Sequence, residues 1–429
     1  MSLPQTPSGG TRARDRELVA RHGSPLYVYD LDRAVAARDA LREALPESFT
    51  LFYSLKANPH PGLVRALAEG PGGCRAEVCS PGELANALEA GQEPGRILYS
   101  GPGKTAEEMT AALAAGVRTF SVESLGDLER LGAQATALGT VAEVLVRVNS
   151  AAAAATTSIR MTGTPSQFGI DAETLPELMP RLLAVPGARV VGAHFFPLSN
   201  SRDEDSLIAE FTATIESAAR LEREHGLPLQ VLDIGGGFAA PYSVPGERPV
   251  YTLLRTALEK ALDEHLPRWR DGSLEIACES GRYLAGDCGR LLTTVTNVKH
   301  SRGRTFAILD AGINTLGGMA GLGRLLPLAV EPRADGTDGG ADGGPELTNV
   351  VLAGPLCTPG DMLAKAARIP APVPGDVLAV PNVGAYGPTA SLLLFLGRPA
   401  PAELLLRDGE VVSASRLTTS RAEIDTGAR

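Results

Sequence analysis

The stretch Thr50-Leu-Phe-Tyr-Ser-Leu-Lys-Ala-Asn58 is a β-rich apolar run that ends in a lysine, an alanine and an asparagine before Pro59. It predicts a strand with Lys56 near its carboxyl end, where folds built from parallel strands present reactive groups. A lysine whose stem packs in a barrel mouth has a desolvated amine of lowered pKa, which suits Schiff-base formation. The alternative, on position alone, is a surface lysine that extends to solvent.

Outward from this stretch, short β-rich runs alternate with amphipathic helical segments, which indicates parallel strands joined by helices. The strands are predicted to end near Lys56, Ser80, Gly101, Ser124, Asn149, Pro197, Gly236 and Gly281. The helices between them are predicted over residues 62–69, 82–90, 106–115, 125–138, 175–184, 203–225 and 251–265. Eight strands predict an α/β fold of the (β/α)8 TIM-barrel type. A doubly wound open sheet is the alternative, but the strand number and the polar residues at many strand ends favour closure.

The alternation of strands and helices ends at about Cys288, after which strands follow one another without long helices. They are predicted at 290–300, 305–310, 349–353, 376–380 and 402–406. We therefore predict an N-terminal arm and joining strand over 1–35, a barrel over 36–288, a C-terminal β-rich domain over 289–410 and a polar tail over 411–429. The arm is expected to be mobile to about Arg14, and the strand at 24–30 to join the β-rich domain. The Gly- and Asp-rich insertion 331–347 is expected to be flexible because it cannot bury a core.

The composition of the 429 residues excludes several function classes. A net charge of -10 without a basic stripe argues against a general nucleic-acid or anionic-membrane binder. No apolar run has the length of a membrane span, and residues 1–24 lack the apolar core of a secretion signal, so a cytoplasmic location is expected. Five cysteines without paired CxxC spacing suggest neither a disulfide framework nor a metal site.

Two strand ends carry the strongest chemical pattern. In Leu232-Asp-Ile-Gly-Gly-Gly-Phe238, three glycines let backbone amides approach an anion as a phosphate cradle requires, although a tight turn uses the same residues. In Cys278-Glu-Ser-Gly-Arg282, a carboxylate and a guanidinium reach the same mouth, and an ion pair on the barrel rim is the alternative. A lysine, a glycine cradle, Glu279 and Arg282 together match the needs of pyridoxal 5'-phosphate.

The sequence resembles the fold-type III pyridoxal-phosphate decarboxylases, which include the ornithine, diaminopimelate and arginine-type decarboxylases and share a barrel with alanine racemase. The resemblance runs from about Pro25 to Leu406. It is carried, in the family's order, by YSLKAN (53–58), EVCSPGEL (77–84), SGPGKT (100–105), VES (122–124), RVN (147–149), QFGID (167–171), DIGGGF (233–238), ESGRYLAG (279–286), GPLC (354–357) and GAYG (384–387).

This resemblance implies that Lys56 forms the Schiff base, that Glu279 keeps the pyridine nitrogen protonated and that Cys357 is a catalytic acid. It implies a larger set of cofactor-binding residues, comprising Glu77, Arg147, His194, Phe196, Ser199, Gly235, Gly236, Gly237, Gly281, Arg282 and Tyr386. It also implies a homodimer in which Cys357 and Tyr386 act across the interface. Without the resemblance, a cysteine in the apolar GPLC run would be read as simply buried.

Two positions depart from the family pattern. The family run His-x-Gly-Ser places a histidine on the cofactor's ring face, whereas Phe196 stands there in this chain, with His194 two residues earlier. Phe196 can stack but cannot shuttle protons, and His194 is a candidate support residue or a buried, satisfied histidine. Thr358 stands where diaminopimelate and ornithine enzymes carry an acidic residue that pairs with the substrate's distal ammonium. Asp361 could meet a cation, or cap its loop.

The sequence therefore predicts decarboxylation of an amino acid or an amino-acid conjugate, with diaminopimelate and ornithine disfavoured. Whether the small-molecule substrate is free or carried on a carrier protein stays open, although the variant motifs resemble a biosynthetic-cluster subgroup in which tethered substrates occur. The alternatives are an amino-acid racemase on the same scaffold and a catalytically silent relative. Glu279 favours decarboxylation, because alanine racemase has an arginine facing the pyridine nitrogen.

Overall fold

The computed structural model describes residues 8–150, 165–197, 199–317, 333–334 and 345–423. The chain divides into two compact units. The barrel unit comprises Leu31–Ala240 and Glu247–Gly286, and the β unit comprises Met1–Asp30, Pro241–Gly246 and Asp287–Arg429. The barrel was predicted over 36–288, whereas the barrel unit begins at Leu31 and ends at Gly286. Residues Pro241–Gly246 belong to the β unit instead.

The described residues contain strands and helices that we number in chain order. The strands are β1 (Leu26–Asp30), β2 (Thr50–Ser54), β3 (Arg75–Val78), β4 (Leu98–Tyr99), β5 (Thr119–Val122), β6 (Ala142–Asn149), β7 (Ile170–Asp171), β8 (Ala188–Phe195), β9 (Val231–Asp233), β10 (Glu275–Ser280), β11 (Gly289–Ser301), β12 (Arg304–Leu309), β13 (Arg333–Ala334), β14 (Glu346–Ala353), β15 (Met362–Pro370), β16 (Val377–Val380), β17 (Ala402–Arg407) and β18 (Glu410–Arg416). The α-helices are α1 (Ser8–His22), α2 (Leu31–Ala44), α3 (Pro61–Ala68), α4 (Pro81–Glu89), α5 (Ala106–Ala115), α6 (Leu125–Ala137), α7 (Leu175–Leu183), α8 (Glu204–His225), α9 (Leu254–His265) and α10 (Arg282–Ala285).

The barrel unit is a closed parallel barrel. Its strands pair in the order β2, β3, β4, β5, β6, β8, β9 and β10, and β10 pairs back to β2, while β7 is a short addition beside β6. This closure confirms the predicted eight-stranded barrel and excludes the open sheet. A buried apolar cluster draws one residue from each of five strands, namely Phe52, Leu98, Leu145, Val191 and Ala277. Such layers fill the interior of a barrel and leave its carboxyl-terminal end for polar groups.

Hydroxyl and carboxyl residues that follow the strands begin several barrel helices. Ser80 accepts a hydrogen bond from the N–H of Glu83 at the start of α4, and Ser124 accepts one from the N–H of Asp127 at the start of α6. Thr105 and Glu108 form a capping box at the start of α5. These residues satisfy N–H groups that a helix leaves without partners in its first turn. The predicted strand ends at Ser80 and Ser124 are therefore helix starts as well.

The β unit is built on a mixed sheet in the order β15, β14, β12, β11, β1, β17 and β18, with β16 beside β11 and β13 beside β16. β1 pairs with β11 and β17, which confirms that the strand predicted at 24–30 joins the β-rich domain. Leu26, Val28, Leu292 and Leu404 pack in its core. None of the helices in the described residues is long and apolar enough to cross a membrane.

The structure of the β unit differs from the prediction in four segments, namely β15, the tail, the arm and the insertion. The strand β15 was missed because its exposed Lys365 and Arg368 break the apolar run. The polar tail is corrected over 411–416, which belong to β18 and pair with β17. The arm is corrected from Ser8 onward, where α1 begins. Residues 331–332 and 335–344 of the predicted flexible insertion lie outside the described residues, while Arg333–Ala334 pair with β16.

Candidate active site

The carboxyl ends of the barrel strands gather most of the predicted site residues. Lys56 follows β2, Glu77 lies in β3, Arg147 in β6, His194 in β8 and Glu279 in β10. The glycines 235–237 follow β9, and Arg282 begins α10 directly after β10. Because all eight strands run parallel around a closed barrel, their carboxyl ends meet at one mouth. The topology alone therefore assembles residues that are up to 226 positions apart in the sequence.

Lys56 presents its amine at this mouth beside a buried carboxylate. Its Nζ lies 3.3 Å from Oε2 of Glu77, and its side chain is 42% exposed while that of Glu77 is 1% exposed. The same Nζ lies 5.4 Å from the ring centroid of Phe196, within the range of a cation–π contact. Phe196, rather than His194, is thus the aromatic residue that faces Lys56.

Glu77 is held by two residues that the sequence analysis did not single out. The hydroxyl of Ser100 donates a hydrogen bond to Oε1, and Sγ of Cys79 lies 3.1 Å from the same oxygen. Burial acts to raise the pKa of Glu77, but the Lys56 ammonium and the donors Ser100, Cys79 and Ser54 outweigh it and lower the pKa to about 2. Ser100 directly follows β4, so the rule that singled out Lys56 could have found it.

Two residues of the glycine run, Gly235 and Gly236, pack too tightly for any side chain. A Cβ on Gly235 would lie 2.3 Å from the carbonyl oxygen of Phe195, and one on Gly236 would lie 2.5 Å from that of Glu279. Gly235 also has a positive φ of 77°, a region that residues with a Cβ rarely adopt. On the next strand, a Cβ on Gly281 would lie 2.8 Å from Cβ of Ala57. These close approaches bring the segments that carry Glu279 and Arg282 against the glycine run and the turn after Lys56.

Glu279 lies in a fully buried cluster with His194 and Asp233. Nε2 of His194 is 3.2 Å from Oε1 of Glu279, and neither atom has a well-formed hydrogen bond within the described residues. Burial raises the pKa of Asp233 to about 7, and the negative charge of Glu279 adds to this effect. Burial acts to lower the pKa of His194, but Glu279 and Asp233 outweigh it and raise the pKa above its ordinary value. The sequence analysis missed Asp233.

Arg147 lies between two aromatic rings. Its Cζ is 4.7 Å from the ring centroid of Phe168 and 5.7 Å from that of Phe196, and its Nη1 is 3.2 Å from Oε1 of Glu123. The other oxygen of Glu123 accepts a 2.6 Å hydrogen bond from the N–H of Gly169. Arg147 and Lys56 therefore share Phe196 as a neighbour. Ser199, also predicted at the site, lies half-buried four residues after β8.

The remaining predicted residues lie in loops of the β unit. Cys357 is exposed, so the reading of a simply buried thiol is wrong. Thr358 accepts a 3.3 Å hydrogen bond from the N–H of Gly360. Tyr386 is half-buried with a positive φ of 54°, and its carbonyl accepts a hydrogen bond from the hydroxyl of Tyr242.

The carboxylate of Asp361 caps its own loop and also binds a second segment of the β unit. Its Oδ1 accepts a 2.7 Å hydrogen bond from the N–H of Ile313, and its Oδ2 accepts one of 2.7 Å from the N–H of Leu356. The residue is 3% exposed, and burial raises the pKa of its carboxyl despite these two donors. Both oxygens are thus engaged, which favours the loop-cap alternative over a substrate-binding role.

Comparison with known proteins covers nearly the whole chain. Residues 31–286 match the family described as pyridoxal-dependent decarboxylase, pyridoxal binding domain. The chain is 32% identical over 400 residues to the L-glutamyl-[BtrI acyl-carrier protein] decarboxylase of Niallia circulans, covering 91% of each protein. It is 34% identical over 400 residues to the diaminopimelate decarboxylase of Methanothermobacter thermautotrophicus, covering 92% of this chain and 89% of that one. The crystal structure of diaminopimelate decarboxylase from Helicobacter pylori complexed with L-lysine matches with a TM-score of 0.79 at 29% identity, covering 92% and 95%.

Proposed function

The chain belongs to the family of pyridoxal-dependent decarboxylases, and we propose that its substrate is an aminoacyl group presented on a carrier protein. The enzyme is a pyridoxal-phosphate-dependent carboxy-lyase. Identity alone does not choose the substrate, because a carrier-protein decarboxylase and a diaminopimelate decarboxylase match about equally well. The choice therefore rests on residues that would meet the substrate.

The barrel mouth fits the cofactor on three observations. The buried Oε1 of Glu279 has no well-formed hydrogen bond within the described residues, glycine is required at positions 235 and 236, and the Lys56 side chain is 42% exposed. In our proposal Lys56 binds the cofactor covalently, the glycine run and Arg282 hold its phosphate, and Glu279 meets its ring nitrogen. When bound, pyridoxal phosphate supplies an electron sink for the breaking bond at Cα.

The chain's own residues would then control protons and orientation. Glu279, as a buried carboxylate, would hold the proton on the ring nitrogen and so preserve the sink. Glu77 stays ionised at neutral pH because its pKa is lowered to about 2, so it can orient the amine of Lys56 by charge. Phe196 carries no titratable proton and would pack on the ring face. Sγ of Cys357 would deliver a proton to Cα after carbon dioxide leaves.

The GPLCTPGD loop (354–361) carries the observation on which the substrate proposal depends. The acid expected there for a distal ammonium is replaced by Thr358, and both oxygens of Asp361, the loop's one carboxylate, accept backbone N–H groups. A distal ammonium brought to this loop would lack an unengaged partner, and burying an unpaired cation is costly. A neutral or conjugated side chain meets no such penalty. The match to a carrier-protein decarboxylase over 91% of both chains adds support.

A panel of substrates tests this proposal through carbon dioxide release. We expect a carrier-bound glutamyl thioester to be turned over faster than free glutamate, and ornithine, lysine and diaminopimelate to be slower by about 10²-fold or more. Thr358→Asp should raise turnover of ornithine and lysine. Efficient wild-type turnover of lysine or ornithine that is lost in Asp361→Asn would show that the cation site is Asp361. Equal turnover of free and carrier-bound glutamate would contradict the tethered substrate.

We also propose that the enzyme is a homodimer with shared active sites, and that it is cytoplasmic. An exposed apolar run supports the dimer: Leu392, Leu394, Phe395 and Leu396 are each at least 45% exposed, and contiguous apolar surface of this kind marks an interaction site. The run is tied to the GPLC loop, because Arg398 donates a 3.1 Å hydrogen bond to the carbonyl of Pro355.

Subunit mixing tests the shared site. If the partner supplies Cys357, a mixture of inactive Lys56→Ala and Cys357→Ala proteins should regain roughly a quarter of wild-type activity, since half of the dimers carry one intact site of two. No recovery after proven subunit exchange would refute the shared site.

A further inference from the structure

His194 is buried in the barrel and contacts Glu279, whereas Phe196 is the ring beside the amine of Lys56. We propose that His194 is a positioning residue that holds a proton against the carboxylate of Glu279 and so orients that carboxylate toward the ring nitrogen of the cofactor. This inference rests on the proposed role of Glu279. It assigns to His194 an action through another side chain, not contact with the substrate.

Two contacts fix the imidazole from opposite sides. Nε2 lies 3.2 Å from Oε1 of Glu279 on β10, and Nδ1 lies 2.8 Å from Oγ of Ser121 on β5. His194 is 1% exposed, Ser121 is 0% exposed and Glu279 is 1% exposed. The ring is therefore sealed, and rotation of either partner would break a contact that no water can replace. A protonated imidazole donates from both nitrogens, which suits both neighbours.

Charge balance in the cluster favours a proton on His194. One ring nitrogen of His194 and one carboxylate oxygen from each of Asp233 and Glu279 lie within 4.8 Å of one another, and all three residues are buried. Two ionised carboxylates without a counter-charge would repel in a medium that screens poorly. Of the other charged groups that act on the cluster, Glu77 adds negative charge near Asp233 and Arg147 adds positive charge near His194. A proton on His194 pairs directly with Glu279, while the raised pKa of Asp233, about 7, lets that carboxyl hold a proton for part of the time.

The same arrangement explains the aromatic residue at the ring face. Phe196 faces Lys56 and Arg147 and cannot hold a proton, whereas His194 lies two residues earlier, within β8, and has its Nε2 against Glu279. The imidazole of His194 is thus beside Glu279, and a ring without a titratable proton takes the position near Lys56. Proton exchange at the ring face would be suppressed while the ring nitrogen stays protonated.

Two substitutions of His194 separate positioning from packing. His194→Gln keeps a donor near the position of Nε2, whereas His194→Phe keeps an aromatic ring without a donor. In His194→Phe we expect kcat to fall about 10- to 100-fold, the effect of losing a charge-assisted hydrogen bond, with little change in KM. The absorbance of the bound cofactor, followed against pH, should show the ring nitrogen losing its proton at lower pH than in wild type. His194→Gln should recover part of both effects, and His300→Gln, which changes an exposed histidine of the β unit, should show neither.

Nitrogen-15 NMR of the wild-type holoenzyme provides a test that needs no stable variant. We expect both ring nitrogens of His194 to be protonated at pH 7, with the signal assigned by its loss in His194→Gln or its shift in Ser121→Ala. A neutral imidazole would overturn the proposal. So would a divalent ion bound at one per chain and lost in His194→Gln, because a metal requires the deprotonated ring. Wild-type absorbance titrations in both His194 variants would also overturn it, whereas failure of wild type to bind the cofactor would refute the proposed function instead.

Discussion

Replacing Glu77 by glutamine tests the electrostatics of the barrel mouth most sharply. The pKa of Glu77 is lowered from 4.5 to about 2, and each unit corresponds to about 1.4 kcal/mol. The ionised carboxylate therefore stabilises the folded barrel by about 3 kcal/mol at neutral pH. Trp269, the sequence's one tryptophan, is buried in the barrel unit. Its fluorescence during urea unfolding of the cofactor-free protein reports the stability of this unit, and Glu77→Gln should lower its free energy of unfolding by about 3 kcal/mol.

The pH dependence of this difference in the free energy of unfolding shows whether the Glu77 carboxylate is its cause. Because the folded pKa of Glu77 is lowered, the difference between wild type and Glu77→Gln should be full above pH 4.5 and vanish as the pH falls through about 2. Glu83 is the matched control, since burial raises its pKa to about 7. Its ionised form therefore opposes folding, and Glu83→Gln should be neutral or stabilising at pH 7. Equal destabilisation by both substitutions, or a Glu77→Gln effect that persists undiminished near pH 2, would refute the reasoning.

Three further changes have defined outcomes. Glu279→Gln should retain the cofactor but slow single-turnover decarboxylation by about 10²-fold, because the amide cannot hold the ring nitrogen protonated; an unchanged rate would remove Glu279 from this role. Gly236→Ala should lower cofactor affinity or barrel stability, since its Cβ would lie 2.5 Å from the carbonyl of Glu279, whereas Gly103→Ala, with open space around it, should do neither. Lys104→Met should destabilise the barrel by about 3 kcal/mol in urea titrations, because it removes the buried one of the two cations that contact buried Asp127, at 2.8 Å, and leaves only the more exposed Arg130; unchanged stability would show that this buried ion pair does not hold the barrel together.

The barrel was predictable because most of its strands are short apolar runs with a polar or glycine residue at or just after their carboxyl end. Lys56, the glycine run and Glu279 were found by that rule, and the structure brings them to one mouth. Ser121 was missed for a physical reason: it lies within β5, and only the direction of its side chain into the barrel brings its hydroxyl to His194. Such a contact depends on barrel geometry and leaves no local pattern in the sequence.

The β unit was harder to predict because its strands pair with distant segments and alternate less clearly. β15 presents Lys365 and Arg368 to solvent, and β18 is mostly exposed, so neither has the apolar run that marks a strand. The choice between two roles of Asp361 also needed coordinates. Only the positions of the N–H groups of Ile313 and Leu356 reveal that its carboxylate caps a loop.

The covalent link at Lys56 is the most direct test of the central claim. The purified protein, incubated with pyridoxal phosphate, should show an absorbance band that borohydride removes, and mass spectrometry should place the reduced pyridoxyl group on the peptide that contains Lys56. Lys56→Ala should lose the band, the modification and turnover, while Lys260→Arg, a change at an exposed lysine of the barrel unit, should keep all three. A pyridoxyl group on a different lysine, or full activity in Lys56→Ala, would contradict the account.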